Sequence, residues 1–169
     1  MTNQRKIEYD ITYMNMANCL RPLSFAIRSK VGCLIVSEAG QIISQGYNGM
    51  PSGLSNNCEH EVDGQLVTND EVLHAESNAI SKCAKFLSST DGATCYVTLS
   101  PCLQCSKLII QSGIKRVVYL DEYRDLSGVE LLLKCGVKVQ QIYPDLKELR
   151  DINEDYCKYT KQWNKEYTR

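Results

Sequence analysis

The stretches Leu73-His74-Ala75-Glu76 and Ser100-Pro101-Cys102-Leu103-Gln104-Cys105 are separated by one short hydrophobic segment, and the rest of the chain can be placed around them. Two cysteines three positions apart project both sulfurs from the first turn of a helix, where unpaired N–H groups and the helix dipole favour negative charge. Cys102 and Cys105 have that spacing, and His74 supplies a third soft-metal ligand. Three protein ligands leave the fourth tetrahedral position of a zinc ion to water, which separates a catalytic site from a closed structural one. Glu76 is then the candidate general acid and base. Residues two apart do not share a helix face, so His74 and Glu76 serve one ion only from the end of their helix. Both helices are therefore expected to aim their N-termini at the metal.

A lone C-x-x-C suits a redox pair, a structural zinc and chance spacing equally well. Joined to H-x-E upstream, P-C-x-x-C is the pattern of the zinc deaminases of nucleobases, in which the glutamate is not a ligand. A structural zinc knuckle would need a fourth ligand, and the one other histidine is His60.

Outward from the metal motif the chain alternates. A helix is expected near 72–86, a strand at Thr94–Leu99, a helix at 103–112, a strand at Arg116–Leu120, a helix at 126–135 and a strand at 137–142. Such alternation predicts a three-layer α/β sandwich with site loops at strand ends. Gly113 and Gly136 stand where helix C-caps belong. Upstream, Ile7, Ile11, Met14, Ala17 and Leu20 recur at helical steps, which predicts an amphipathic helix over about 4–20 capped by Asn3. Val31–Val36 and Gln41–Tyr47 flank Ser37-Glu38-Ala39-Gly40 and read as a hairpin. The loop Gly46 to Gly53 follows, its glycines permitting close backbone approach to a ligand. Residues 54–70 are polar and irregular, an insertion read as a variable surface loop. It holds Cys58 and His60, which with Cys19 are candidates for a second metal, although no spacing brings Cys19 near. After Pro144, Leu146, Leu149, Ile152, Tyr156, Tyr159, Trp163 and Tyr167 step by three and four, which predicts a terminal helix over about 145–167.

With 169 residues the chain is expected to form one domain, residues 1–169 with a core over 4–143, long enough to bury roughly two thirds of its unfolded surface. Hydrophobic residues at 43% and a net charge of −1 exclude a disordered or polyanion-binding chain, so no nucleic acid partner is expected. The polar start Met1 to Lys6 and the lack of any apolar run near 20 residues predict a soluble cytoplasmic protein with no membrane partner. Nine cysteines without framework spacing read as free thiols outside the metal site, with Cys33, Cys95 and Cys135 in the core.

Several blocks carry a family likeness: Val31-Gly32-Cys33-Leu34-Ile35-Val36, Gly46-Tyr47-Asn48-Gly49-Met50-Pro51-Ser52-Gly53, His74 through Ile80, Tyr96 through Cys102, and Cys105 through Lys115. Over about residues 28–143 the chain resembles the deoxycytidylate deaminases of the cytidine deaminase superfamily. The resemblance implies a five-stranded mixed sheet flanked by helices, zinc at His74, Cys102 and Cys105, and hydrolysis of dCMP to dUMP with Glu76 moving the protons. It implies a homohexamer, activated by dCTP and inhibited by dTTP, with Mg2+ bridging the regulatory triphosphate. The backbone of Ala75 and the carbonyl of Ser100 are expected at the pyrimidine edge, with Tyr123-Arg124 as the recognition loop, ring on base and guanidinium on phosphate. Asn48, ending a strand beside the pocket, is the candidate for the sugar hydroxyl. Arg28 is a second phosphate candidate, for the substrate or for the regulatory triphosphate, and Arg28, Asn48 and Gly49 form the candidate effector site. The rival readings are a free nucleoside deaminase and a zinc-stabilised binding module. The 54–70 insertion and the chain after Pro144 depart from the family pattern.

Overall fold

In the computed structural model, which describes residues 3–143 and 148–151, the elements run α1 (Asn3–Leu20), β1 (Gly32–Val36), β2 (Ile42–Tyr47), β3 (Glu59–Val62), β4 (Gln65–Thr68), α2 (Ala75–Lys85), β5 (Thr94–Leu99), α3 (Leu103–Gln111), β6 (Arg116–Asp121), α4 (Ser127–Lys134), β7 (Lys138–Tyr143) and β8 (Glu148–Asp151). The main sheet has the order β2-β1-β5-β6-β7-β8, and β3 and β4 form a separate pair. A tight turn ending in Gly40, at φ 80°, makes β1 and β2 an antiparallel hairpin. Helices α3 and α4 instead carry the chain back across the sheet, so β5, β6 and β7 run parallel. The five strands β2 to β7 of this sheet with the four helices are the expected mixed α/β sandwich.

Alternation along the strands divides the core in two. Cys33, Ile35, Cys95, Val97, Val117, Tyr119, Val137 and Val139 face one way and pack with Ala75, Ala79, Ile109 and Leu132 of α2, α3 and α4. Leu34, Val36, Tyr96, Val118 and Ile142 face the other way, onto Met14 and Ala17 of α1. Helices on both faces explain why all five residues of β1 are buried and read as an unbroken apolar run. A polar lock fastens α1 through this layer. Arg116 makes two 2.7 Å bonds to the Asp10 carboxylate, whose Oδ1 also accepts from the Tyr96 hydroxyl at 2.6 Å. The helices end as the glycines predict: Gly113 and Gly136, at φ 80° and 78°, each donate to the carbonyl three residues back.

Three expectations are corrected. Residues 59–68 of the expected surface loop form the β3–β4 hairpin, turned by Asp63 and Gly64, both with positive φ of 50° and 75°. Asp-Gly is the dipeptide that a two-residue hairpin turn demands. Within the expected terminal helix, Glu148–Asp151 pairs antiparallel with β7, Leu149 opposite Ile142; the remainder of 145–167 lies outside the described residues. The open edge of β7 offers that segment a row of unpaired N–H and C=O groups, and pairing there overrides helical periodicity. Cys135 is exposed rather than core, because it caps α4 beyond the last inward turn, whereas Cys33 and Cys95 are buried.

Candidate metal centre and substrate cavity

His74 and Cys102 are the N-cap residues of α2 and α3, with extended backbones at ψ 158° and 168°. Both helices therefore begin at the same point, and Glu76 falls in the first turn of α2, as the spacing requires. Close packing keeps them there. A Cβ on Gly46 would collide with the Ala75 carbonyl, so β2 lies flush against α2. One on Gly128 would strike the Pro101 carbonyl, so α4 abuts the turn that carries Cys102.

The Nδ1 of His74 lies 3.4 Å from Cys102 Sγ and 3.5 Å from Cys105 Sγ. In a tetrahedral zinc site with the usual bond lengths a nitrogen and a sulfur ligand stand roughly 3.5 Å apart, so the three atoms fit the ion. They are the one such cluster among the described residues. The Cys102 thiol is pulled down to about 3 by hydrogen bonds from Cys105 and His74 and from the Cys105 N–H. Cys105 is pushed up by its bond to Cys102 and by burial, while the Ser77 N–H of α2 acts to lower it. Orphan amides of each helix start thus meet a sulfur of the site, which is how a helix N-terminus stabilises thiolates.

Glu76 is 4% exposed, and burial lifts its carboxyl to about 7 against the pull of its own N–H and of His74. It lines a cavity of about 330 Å³ together with His74, Ala75 and Cys102, a size suited to a small ligand. Ser100, Tyr123 and Arg124 also line it, with Tyr123 N–H donating 2.7 Å to the Ser100 hydroxyl and the Arg124 guanidinium 5.8 Å from the Tyr123 ring centre. Arg28 and Asn48 line it as well. All the expected substrate residues therefore reach one cavity. The Asn48 amide is already engaged, accepting from Val31 N–H at 2.8 Å and donating to the Ser29 carbonyl at 2.8 Å. Gly49 bridges to Leu73, each N–H donating to the other's carbonyl, so its amide does not face a free space. Cys58 is buried beside Ala26 and Val72, and His60 bonds Asn69 through Nδ1. Glu59 and Thr68 also line the cavity, and the sequence marks them only through the Asp-Gly turn between their strands.

A sandwich of this topology, with a His/Cys/Cys cluster at two helix starts and a buried glutamate in the cavity beside it, defines a zinc-dependent deaminase fold. The chain belongs to the cytidine and deoxycytidylate deaminase family, whose zinc-binding region model matches residues 7–121. Among relatives, it is 42% identical to the deoxycytidylate deaminase of Homo sapiens over 133 residues, 72% of each chain. It is 40% identical to ComE operon protein 2 of Bacillus subtilis over 144 residues, covering 83% of this chain and 74% of that one. The crystal structure of dCMP deaminase from the cyanophage S-TIM5, in complex with dCMP and dUMP, superposes with a TM-score of 0.75 at 43% identity, over 84% of this chain and 99% of that one.

Proposed function

We propose that this chain hydrolyses dCMP to dUMP and ammonia. The observation that carries the reading is the buried Glu76 beside a three-ligand metal cluster, in a cavity that also receives two arginines. The similarity to the human and cyanophage enzymes supports dCMP as the pyrimidine. When bound, zinc supplies a Lewis acid that lowers the pKa of a water toward about 7. Glu76 takes one proton from the attacking water and delivers it to N3, then takes the second proton, from the hydroxyl now on C4, and gives it to the exocyclic amine as the C4–N bond breaks. The Ala75 backbone and the Ser100 carbonyl hold the pyrimidine edge, and the Tyr123 ring stacks on the base. Asn48 keeps one amide hydrogen and one lone pair beyond its two backbone bonds, and these serve the sugar hydroxyl. Arg124 and Arg28 meet the 5′-phosphate as charge-assisted donors.

The proposal extends to a single domain over residues 1–169, working in the cytoplasm and supplying dUMP for thymidylate synthesis. It also includes a homohexamer activated by dCTP and inhibited by dTTP with Mg2+. Each effector shifts the enzyme only by its differential affinity for two arrangements. Ammonia release with dCMP, deoxycytidine and cytidine tests the core reading. A strong preference for dCMP is expected, and equal turnover of dCMP and deoxycytidine would make the chain a nucleoside deaminase. Sedimentation and rate curves at fixed dCTP or dTTP test the rest: a monomer with hyperbolic kinetics insensitive to both leaves the catalytic reading and removes the regulatory one.

A further inference from the structure

The segment 24–31 has no regular structure, yet it carries Arg28 to the cavity wall. Side chains from elsewhere hold it. The Ser29 carbonyl and Val31 N–H are fixed by Asn48, and the Lys30 carbonyl by Arg21. At its centre the Glu59 carboxylate of β3 accepts Ile27 N–H at 3.1 and 3.2 Å and Arg28 N–H at 3.2 Å. The Thr68 hydroxyl of β4 accepts the Arg28 guanidinium at 3.0 Å. Glu59 and Thr68 are directly opposed in the β3–β4 register, so one rung of the hairpin grips both the backbone and the head group of a single residue.

The division of labour between the two is electrostatic. A carboxylate stands next to an arginine, but its oxygens are committed to main-chain N–H groups, and the guanidinium rests on a neutral hydroxyl instead. Among the described residues Arg28 makes no ion pair. A hydroxyl fixes the direction of the fork without cancelling its charge, which leaves a preorganised cation facing the cavity. We infer that Glu59 and Thr68 are positioning residues for phosphate recognition: their rung holds Arg28 as an unneutralised cation at the cavity wall and so sets the preference for nucleotide over nucleoside. This rests on reading Arg28 as a contact to the substrate's phosphate.

The readout is the ratio of kcat/KM for dCMP to that for deoxycytidine, measured on the full chain with zinc, so that a loss common to both substrates cancels. Thr68→Val removes the hydroxyl at constant shape, and the ratio is expected to fall roughly three- to tenfold, mainly through KM for dCMP. Thr68→Ser, which keeps the hydroxyl, restores it. Glu59→Ala is expected to lower the ratio too, although it removes a negative charge from beside a dianion; Coulomb attraction alone gives the opposite sign. Arg28→Ala separates the two layers of the argument. A ratio that collapses in Arg28→Ala but stays at the wild-type value in both Thr68→Val and Glu59→Ala overturns the positioning role and leaves the phosphate contact standing. A ratio unchanged in Arg28→Ala overturns both.

Discussion

Glu76 and Ser100 show how single residues acquire roles from their surroundings. Burial places the Glu76 carboxyl near the pH at which it can both accept and return a proton. Glu76→Gln keeps the shape and removes that capacity. Turnover is expected to fall at least about a hundredfold, with elemental analysis still finding about one zinc per chain; near-normal turnover would refute the proton-transfer role. Ser100 acts twice, its carbonyl proposed for the pyrimidine edge and its hydroxyl accepting the Tyr123 N–H. Ser100→Ala strands that N–H and loosens the recognition loop. A rise in KM for dCMP is expected, equivalent to about 1–3 kcal/mol, with a smaller change in kcat.

Among the elements, α1 is fastened by a buried ion pair, Asp10 with Arg116. Asp10 is 2% exposed and holds both Arg116 and the Tyr96 hydroxyl. Asp10→Ala leaves a mostly buried guanidinium without its partner, and urea unfolding is expected to show a loss of roughly 3–5 kcal/mol. The same lock predicts alkaline behaviour. Burial, and then the Asp10 charge, push the Tyr96 pKa above its ordinary value. Stability owed to the protonated Tyr96 is fully present below the unfolded pKa of about 10 and is lost as pH rises beyond it. Tyr96→Phe should flatten that part of the alkaline stability curve, and an unchanged curve would count against it. The order of helices and strands was legible from periodicity and glycine punctuation, because each records what a residue does within one turn of itself. The β3–β4 hairpin was legible only at its Asp63-Gly64 turn, since Glu59, Glu61 and Gln65 leave its strands without an apolar face.

For the whole molecule, the metal cluster joins the starts of α2 and α3, so removing zinc is expected to act on stability as well as rate. Chelation should abolish deamination and lower Tm, and added zinc should restore both in step, since a ligand of the folded state stabilises by mass action. Activity lost at constant Tm would mean the helices hold their arrangement without the ion. Charge predicts a further property. With 19 basic against 20 acidic residues, no measurable binding to single-stranded DNA is expected at physiological salt, because such binding draws on neutralised phosphates; a filter or anisotropy titration checks it. No helix among the described residues is long and apolar enough to cross a membrane.

By itself the sequence picked out the His74, Cys102 and Cys105 cluster and the Glu76 that lines the cavity beside it, because Cys102 and Cys105 share one helical turn and His74 and Glu76 share one helix start. It also determined the alternation of strands and helices from Thr94 onward, which the chain follows as β5, α3, β6, α4 and β7. Tertiary structure alone decided what those local signals leave open. Arg28 meets Thr68 and Glu59 from across the chain, Asn48 commits both ends of its amide to the segment before β1, and Asp10 finds Arg116. Leu149 sits at a helical step in the sequence but opposite Ile142 in a strand. Periodicity reports the company a residue keeps within a turn or a pleat; which distant N–H, carbonyl or charge it must satisfy is settled only when the layers close.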